Sequence, residues 1–155
     1  MRKKDREIKD VKELREILEK ADVARIAFSA EGAPYIVAMN YGFEWNEGLN
    51  LYFHCAKEGR KIDLMDKNNL VCFQLDTDHE LVRGASICKW SMNYRSIVGL
   101  GLLKRVVDEE EKKKGLGLIM NHYGYEGDTS YNEKVLAATE VLRLEVTEIA
   151  GKKKD

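Results

Sequence analysis

Apolar residues recur at helical spacing near the start of the chain. One helical stripe is formed by Val11, Leu14, Ile17, Leu18 and Ala21. Asp10 is followed three residues later by Glu13, a pair that is typical of a capping box satisfying free amides at a helix start. The segment is therefore predicted to form an amphipathic helix that packs against the rest of the protein.

Beyond this helix, short runs of alternating apolar and polar residues are separated by turn residues. The predicted strands are residues 23–29, 34–43, 49–55, 70–76, 81–88, 94–107 and 138–149. The close spacing of the first three indicates antiparallel hairpins. A short helix is predicted over residues 57–67, and a longer one from Asp108 to near Gly124, followed by a polar loop.

Six or seven antiparallel strands with only two or three helices must close on themselves to hide the sheet edges. The pattern therefore predicts a mainly β fold with flanking helices, arranged as a small antiparallel β-barrel. A length of 155 residues fits one domain over residues 1–155. Gly151 is predicted to end the last strand, and the charged tail 152–155 is predicted to be frayed.

Charge and cysteine content narrow the classes of function. The formal net charge is -1 and the charges are mixed, which argues against a nucleic-acid or anionic membrane partner. The basic start of the chain is not followed by an apolar segment, so no secretory signal is predicted. A cytoplasmic location is therefore expected. Cys55, Cys72 and Cys88 are scattered, which favours reduced thiols over disulfides or a metal site.

The segment 49–63 contains the first group of candidate ligand-binding residues. Its strand ends in a turn that contains Lys57, Gly59, Arg60 and Lys61. A glycine lets backbone amides approach an anion, and the helix start that follows adds partial positive charge. Arginine and lysine side chains would complete a phosphate site. The same pattern also fits a solvated turn, so the residues alone leave both interpretations open.

A histidine and an aromatic segment are the other candidates. His54 lies on the strand before this turn, and an imidazole exchanges protons near neutral pH, although a lone strand histidine is often structural. A second cluster between strands consists of Trp90, Tyr94, Arg95 and Ser96. These side chains could stack on a flat ring, cap it at a subunit interface, or simply cover the barrel end.

Several segments together resemble one family. They are residues 1–8 (MRKKDREI), 34–44 (PYIVAMNYGFE), 51–65 (LYFHCAKEGRKIDLM), 90–101 (WSMNYRSIVGLG) and 142–152 (LRLEVTEIAGK). In this order they are similar to the FMN-binding split β-barrels of the pyridoxamine-phosphate-oxidase-like superfamily, and most similar to the branch of the nitroimidazole-resistance (Nim) proteins. The resemblance spans nearly the whole chain.

The resemblance implies a homodimer that binds two FMN molecules at its interface. The flavin ring would lie beside the strand residues Val37, Ala38, Met39, Asn40 and Tyr41, which would supply backbone hydrogen bonds. The ribityl chain and the ring would lie along His54, Cys55 and Ala56, and the phosphate would lie near Lys57, Arg60 and Lys61. The site would be closed by Trp90, Tyr94, Arg95 and Ser96, from the same subunit or its partner.

The function implied by this resemblance is that of a flavin-dependent oxidoreductase, with nitro-group reduction as the sharper hypothesis. His54 would then be the residue that exchanges a proton with the substrate. Two alternatives stay open: a flavin-binding redox carrier or sensor without turnover, and a split barrel that binds haem or a deazaflavin. Pyridoxamine phosphate oxidases proper have C-terminal residues for the substrate phosphate, and this sequence has no corresponding pattern, so vitamin B6 oxidation is not expected.

Overall fold

An antiparallel sheet of eight strands forms the centre of the computed structural model, which describes residues 4–128 and 130–155. The strands are β1 Glu7–Ile8, β2 Ala24–Phe28, β3 Tyr35–Met39, β4 Gly42–Trp45, β5 Leu49–Ala56, β6 Leu70–Val82, β7 Ser91–Arg105 and β8 Thr139–Lys154. The helices are α1 Val11–Lys20, α2 Arg60–Lys67, α3 Glu109–His122 and α4 Glu133–Ala138. No helix in these ranges has the length and apolar character needed to cross a membrane. Residues 1–3 of the matching segment 1–8 lie outside the described residues.

The strand order shows how the sheet curls. The order is β3-β2-β6-β7-β8-β5-β4, with β1 paired to β8. The two outermost strands, β3 and β4, are consecutive in the chain and are joined only by Asn40 and Tyr41. The sheet must therefore bend until its two edges approach each other without forming a ladder. This is an open, or split, β-barrel, and it confirms the predicted fold class with one strand and one helix more than expected.

The barrel interior and α1 share one hydrophobic core. Phe28, Phe53 and Phe73 are almost completely buried inside the sheet, and Ile17 and Leu18 of α1 pack against them. The Asp10 carboxylate accepts a hydrogen bond from the Lys12 amide at the start of α1. The predicted amphipathic helix is confirmed.

The connection between β3 and β4 differs from the single strand predicted over residues 34–43. The chain leaves the sheet at Asn40, and the Tyr41 side chain is completely buried. Its hydroxyl donates to the carbonyl oxygens of Leu18 and Ala21, at 2.7 and 3.0 Å. The predicted strand therefore breaks at Tyr41, because the hydroxyl of this large side chain bonds to the last turn of α1 and to the residue that follows the helix.

Two other predicted elements also differ from the structure. The predicted strand 70–76 and the first two residues of the predicted strand 81–88 belong to one strand, β6, which reaches Val82 through a bulge between Thr77 and Glu80. The rest of the predicted strand 81–88 is wrong: the chain turns at Gly84, where a Cβ would overlap with Cβ of Lys89, and a short 3-10 helix begins at Ile87. The polar loop before the last strand contains α4, because Asn132 caps the amides of Lys134 and Val135. Neither the bulge nor α4 could be predicted from the spacing of apolar residues in the sequence.

The prediction of a frayed tail is wrong. β8 continues to Lys154, and Lys152 pairs with both Glu7 of β1 and Ser96 of β7. Gly151 does not end the strand but permits a close approach, because a Cβ there would lie 2.9 Å from Cβ of Ile8. The glycine indicates tight packing under β1 rather than a strand terminus.

The Gly42→Ala variant is expected to lose about 1–3 kcal/mol of unfolding free energy. A Cβ at position 42 would overlap with the backbone of Leu118 and Ile119 in α3, which cannot move away as a flexible side chain could. Urea denaturation measures the loss. Gly48→Ala is the control, because its Cβ would meet no atom within 4 Å. Equal stability of the two variants would contradict the close packing of α3 on β4.

A partly buried polar network also holds α3 on the sheet. The Tyr52 hydroxyl donates to Glu44 Oε1 at 2.8 Å, and Lys114 of α3 lies 2.6 Å from Glu44 Oε2. Burial alone would raise the pKa of Glu44, but the hydrogen bonds from Lys114 and Tyr52 outweigh it and lower the pKa. The carboxylate is therefore more stable in the folded protein than in the unfolded chain.

This lowered pKa predicts acid sensitivity with a defined sign. A carboxyl whose folded pKa lies below its unfolded pKa stabilises the fold at higher pH, and this stabilisation is lost as the pH falls through the folded pKa. The unfolding free energy should therefore decrease below about pH 5. Lys114→Met should flatten this decrease, whereas Lys112→Met should not. Parallel pH profiles for both variants in urea denaturation would show that Glu44 does not contribute.

Candidate functional site

An open groove of about 470 Å³ lies where the two edges of the split barrel approach each other. It is lined by Val37, Ala38, Met39, Asn40, His54, Cys55, Ala56, Lys61, Ala138 and Thr139. The end of β3 forms one wall, while the end of β5, the start of α2 and the start of β8 form the other. The groove thus combines two predicted segments that are separated along the chain.

Strand pairing places the polar side chains of the second wall. β5 lies between β4 and β8, with His54 opposite Val141 and Ala56 opposite Thr139. Phe53 points into the core, so its neighbour His54 is exposed on the other face. Ala38 and Ala56 contribute only methyl groups to the groove. The small alanine side chains therefore leave space between the two walls, and the alternating direction of side chains along β5 places the His54 imidazole on the outer side of this strand.

The start of α2 has the properties predicted for an anion site. Gly59 precedes the helix with a φ of 129°, a backbone conformation that favours glycine, and no side chain caps the first turn. A Cβ on Gly59 would meet no atom within 4 Å, so the space before the helix is open. Lys61 in the first turn lines the groove. An ammonium group and an uncapped helix N-terminus are together suited to hold a phosphate.

Cys55 places a thiol in the same wall. Its side chain is partly buried, and burial raises the pKa of this thiol while Lys61 opposes the rise in part. A protonated thiol is a poor nucleophile at neutral pH. The described residues contain no cluster of three or more His, Cys, Asp or Glu side chains that could hold a metal ion.

Arg60 and Lys57 lie apart from Lys61. The Arg60 guanidinium lies 4.7 Å from the centroid of the Tyr35 ring, in a cation–π contact. Arg60 lines a neighbouring groove of about 450 Å³ together with Ser29 and Leu64. Lys57 is exposed beyond the end of β5 and is not among the lining residues. Of the three predicted phosphate ligands, the structure brings only Lys61 into the groove.

Tyr41 is also outside the groove. Its hydroxyl is held by α1, and its amide donates to the Tyr123 hydroxyl at 3.2 Å. The Tyr123 hydroxyl in turn donates to the carbonyl oxygen of Asp22 at 2.6 Å. Tyr41 therefore fixes the end of β3, and its neighbour Asn40 is the last residue of this segment that lines the groove.

The aromatic segment lies elsewhere on the sheet. Trp90, Tyr94, Arg95 and Ser96 lie at or just before the start of β7. Because β2 and β6 separate β7 from β3, the two strands are about 14 Å apart at roughly 4.8 Å per strand. Within one chain the structure does not bring these four residues into the groove.

The side of the sheet facing away from the core bears a row of apolar residues. Cross-strand neighbours Ile36, Ala27, Cys72 and Leu100 form one row over β3, β2, β6 and β7. Beside this row Val98 is 46% exposed, and Ile36 within it is 61% exposed. We call this surface, formed by Ala27, Ile36, Leu70, Cys72, Val98 and Leu100, the outer face. It is continuous with the groove, because Ala38 follows Ile36 on the same face of β3.

A family model for pyridoxamine 5'-phosphate oxidase matches residues 10–153. The chain belongs to the pyridoxamine 5'-phosphate oxidase family. This confirms the resemblance predicted from the sequence. Among proteins of curated function, none matches the chain.

Solved structures of this family and fold include a close neighbour. A proposed 5-nitroimidazole antibiotic resistance protein from Bacteroides thetaiotaomicron VPI-5482 is 33% identical, with a TM-score of 0.83 over 95% of this chain and 86% of that one. Two more distant structures share the fold. The flavocytochrome Anf3 from Azotobacter vinelandii is 23% identical, with a TM-score of 0.79 over 96% of this chain and 69% of that one. The FAD and heme binding protein from Mycobacterium smegmatis is 18% identical, with a TM-score of 0.82 over 97% of this chain and 74% of that one.

Two lining residues were not predicted from the sequence. Ala138 and Thr139 join α4 to β8 and lie beside Ala56 through the β5–β8 pairing. Small residues at the end of a polar segment have no chemical signature of their own. Only the register of β5 against β8 would have identified them.

Proposed function

We propose that this member of the pyridoxamine 5'-phosphate oxidase family is a dimeric, cytoplasmic FMN-binding oxidoreductase that reduces nitroaromatic or similar small acceptors. One observation carries the proposal. Eight of the residues expected to bind FMN line a single groove, although they come from three separate elements: Val37, Ala38, Met39, Asn40, His54, Cys55, Ala56 and Lys61.

The residues of the groove fit FMN in size and in chemistry. A volume of about 470 Å³ lies within the range of small-molecule sites. Lys61 and the uncapped start of α2 would hold the phosphate, which is the only strongly anionic part of FMN. The backbone of β3 would lie along the flavin ring, and the methyl groups of Ala38 and Ala56 would leave space for it.

The proposal includes a homodimer because the groove is open on one side. The outer face is apolar and adjoins the groove, and a two-fold dimer buries the same patch on both subunits. A partner packed there would cover the β3 wall. It would also bring its own Trp90, Tyr94, Arg95 and Ser96 toward the groove, which the four residues do not reach within one chain.

FMN would supply electron transfer between a nicotinamide nucleotide and a small acceptor. Within the groove, His54 is exposed and is the side chain best suited to exchange a proton with an acceptor. Cys55, with its pKa raised by burial, would remain a neutral thiol and line the groove without reacting. Nitroaromatic acceptors are proposed from the 5-nitroimidazole resistance neighbour.

An absorption spectrum of the freshly purified protein tests the cofactor. Oxidised flavin bands are expected, and chromatography of the cofactor released by denaturation should identify FMN rather than FAD. A Soret band without flavin bands would overturn the proposal in favour of haem. This outcome is worth excluding because two structures of the same fold are a flavocytochrome and a FAD and heme binding protein.

Turnover is tested separately from binding. NADH or NADPH should bleach the flavin bands under anaerobic conditions, and a nitroaromatic compound should restore them. His54→Ala is expected to slow the second step by about 100-fold, the lower end of the usual contribution of a general acid. Tight FMN binding without reduction by either nucleotide would contradict the enzyme proposal and support a redox carrier.

A further inference from the structure

The bulge in β6 turns a second histidine onto the surface that contains Tyr94 and Ser96. Thr77 pairs with Arg95 and Glu80 pairs with Asn93, so β6 contains one more residue than β7 over this stretch. The extra residue changes the alternation of side chains, and Asp78 absorbs the distortion with a φ of 55°. Bulges are frequent beside active sites, where they redirect a side chain. Here His79 comes to lie on the same side of the strand as Asp76.

His79 and Asp76 form a well-defined pair. His79 Nε2 lies 2.8 Å from Asp76 Oδ2. The other carboxylate oxygen of Asp76 accepts hydrogen bonds from Arg25 at 2.6 Å and from Gln74 at 2.8 Å, which fixes the carboxylate in place. Because a carboxylate accepts, it retains the imidazole proton on Nε2. In the described ranges no residue bonds to Nδ1 of His79, and the side chain is 49% exposed.

The pair lies among residues that belong to the proposed cofactor site. Asp76 pairs directly with Ser96, and Tyr94 lies opposite the bulge that contains His79. The bulge places all four side chains on the side of the sheet that bears the outer face. In the dimer proposed above, this part of the surface closes the groove of the partner. A surface ion pair alone contributes little stability, which gives no reason for the bulge.

We propose that His79 contacts FMN in the groove of the partner subunit, through a hydrogen bond between Nδ1 and the polar pyrimidine edge of the flavin ring. This edge is the part that matches a polar ring nitrogen, because the opposite edge of the ring bears only methyl groups. Asp76 is a positioning residue that fixes the orientation and tautomer of His79. The inference rests on the proposed dimeric FMN site, and no proton transfer or redox step is assigned to His79.

Fluorescence titration with FMN and the absorption spectrum of bound FMN provide the test. His79→Gln is expected to weaken FMN binding about 5- to 10-fold, the effect of one hydrogen bond, and to shift the flavin absorption maxima. Asp76→Ala should cause the same spectral shift, and the double variant should shift no further. Glu80→Gln is the control, because Glu80 is the next residue of β6 and pairs with Asn93 on the opposite side.

Mixed dimers show which subunit supplies the histidine. The test uses a dimer of one Lys61→Ala subunit and one His79→Gln subunit. If His79 acts across the interface, both substitutions affect the groove of the Lys61→Ala subunit. The groove of the His79→Gln subunit then retains its own Lys61 and receives the intact histidine of its partner. This dimer should bind one FMN with wild-type affinity and spectrum. Two weakened sites, one with the affinity of the Lys61→Ala protein and one with that of the His79→Gln protein, would show that His79 acts within its own subunit and would overturn this inference.

The failure of this inference can be distinguished from failure of the proposed function. A wild-type protein that is monomeric or does not bind FMN overturns the proposed function without any variant. A wild-type dimer that binds FMN, together with a His79→Gln variant of unchanged affinity and spectrum, overturns only the role of His79.

Discussion

Val98→Asp is expected to separate the proposed dimer into monomers and to weaken FMN binding by at least about 100-fold. The side chain lies beside the apolar row of the outer face and is 46% exposed in the single chain. In a two-fold dimer the substitution would place two carboxylates in the interface, and each buried charge without a partner costs several kcal/mol. Light scattering after gel filtration measures the mass, and fluorescence titration measures FMN affinity.

The matched control for Val98→Asp is Val107→Asp. Val107 is 92% exposed and lies between β7 and α3, outside the outer face. The same chemical change there should leave both the mass and the FMN affinity unchanged. If Val98→Asp remained a dimer with wild-type affinity, the outer face would not be the interface, and another explanation would be needed for the distance between Trp90 and the groove.

The parts of the site that could be predicted from the sequence are local. The end of β5, the turn at Gly59 and the first turn of α2 follow one another in the chain, so their residue types and spacing fitted an anion site as well as a solvated turn. The joining of this segment to residues 37–40 could not be derived from spacing, because it depends on closure of the barrel. The family resemblance supplied that connection, and the groove agrees with it.

Side-chain direction was the main limit of the sequence-based prediction. Arg60 and Lys61 are adjacent in the sequence, but on a helix successive side chains point about 100° apart, and only Lys61 faces the groove. Tyr41 continues an alternating pattern, yet its hydroxyl is buried against α1. The bulge that redirects His79 could not be predicted from a glycine in the sequence, because the residue with the positive φ is Asp78.

Lys61→Ala is expected to weaken FMN binding by about 10- to 100-fold and to leave riboflavin binding nearly unchanged. A hydrogen bond to a charged group contributes about 1.5–3 kcal/mol, and only FMN has the phosphate. Among Lys57, Arg60 and Lys61, only Lys61 lines the groove. Fluorescence titrations of both ligands measure the difference. Equal losses for FMN and riboflavin would show that Lys61 lies beside another part of the cofactor.

Arg60→Ala is the matched control. It distinguishes a phosphate site formed by Lys61 alone, as the groove indicates, from the sequence-based expectation that Arg60 and Lys61 both bind the phosphate. The Arg60 guanidinium is engaged by the Tyr35 ring at 4.7 Å and lines the neighbouring groove. Its removal should cost about 0.5–1 kcal/mol of unfolding free energy through the lost cation–π contact, with FMN affinity unchanged. A loss of FMN affinity as large as that of Lys61→Ala would mean that Arg60 leaves Tyr35 to bind the phosphate. The phosphate site would then extend across the N-terminus of α2 into both grooves.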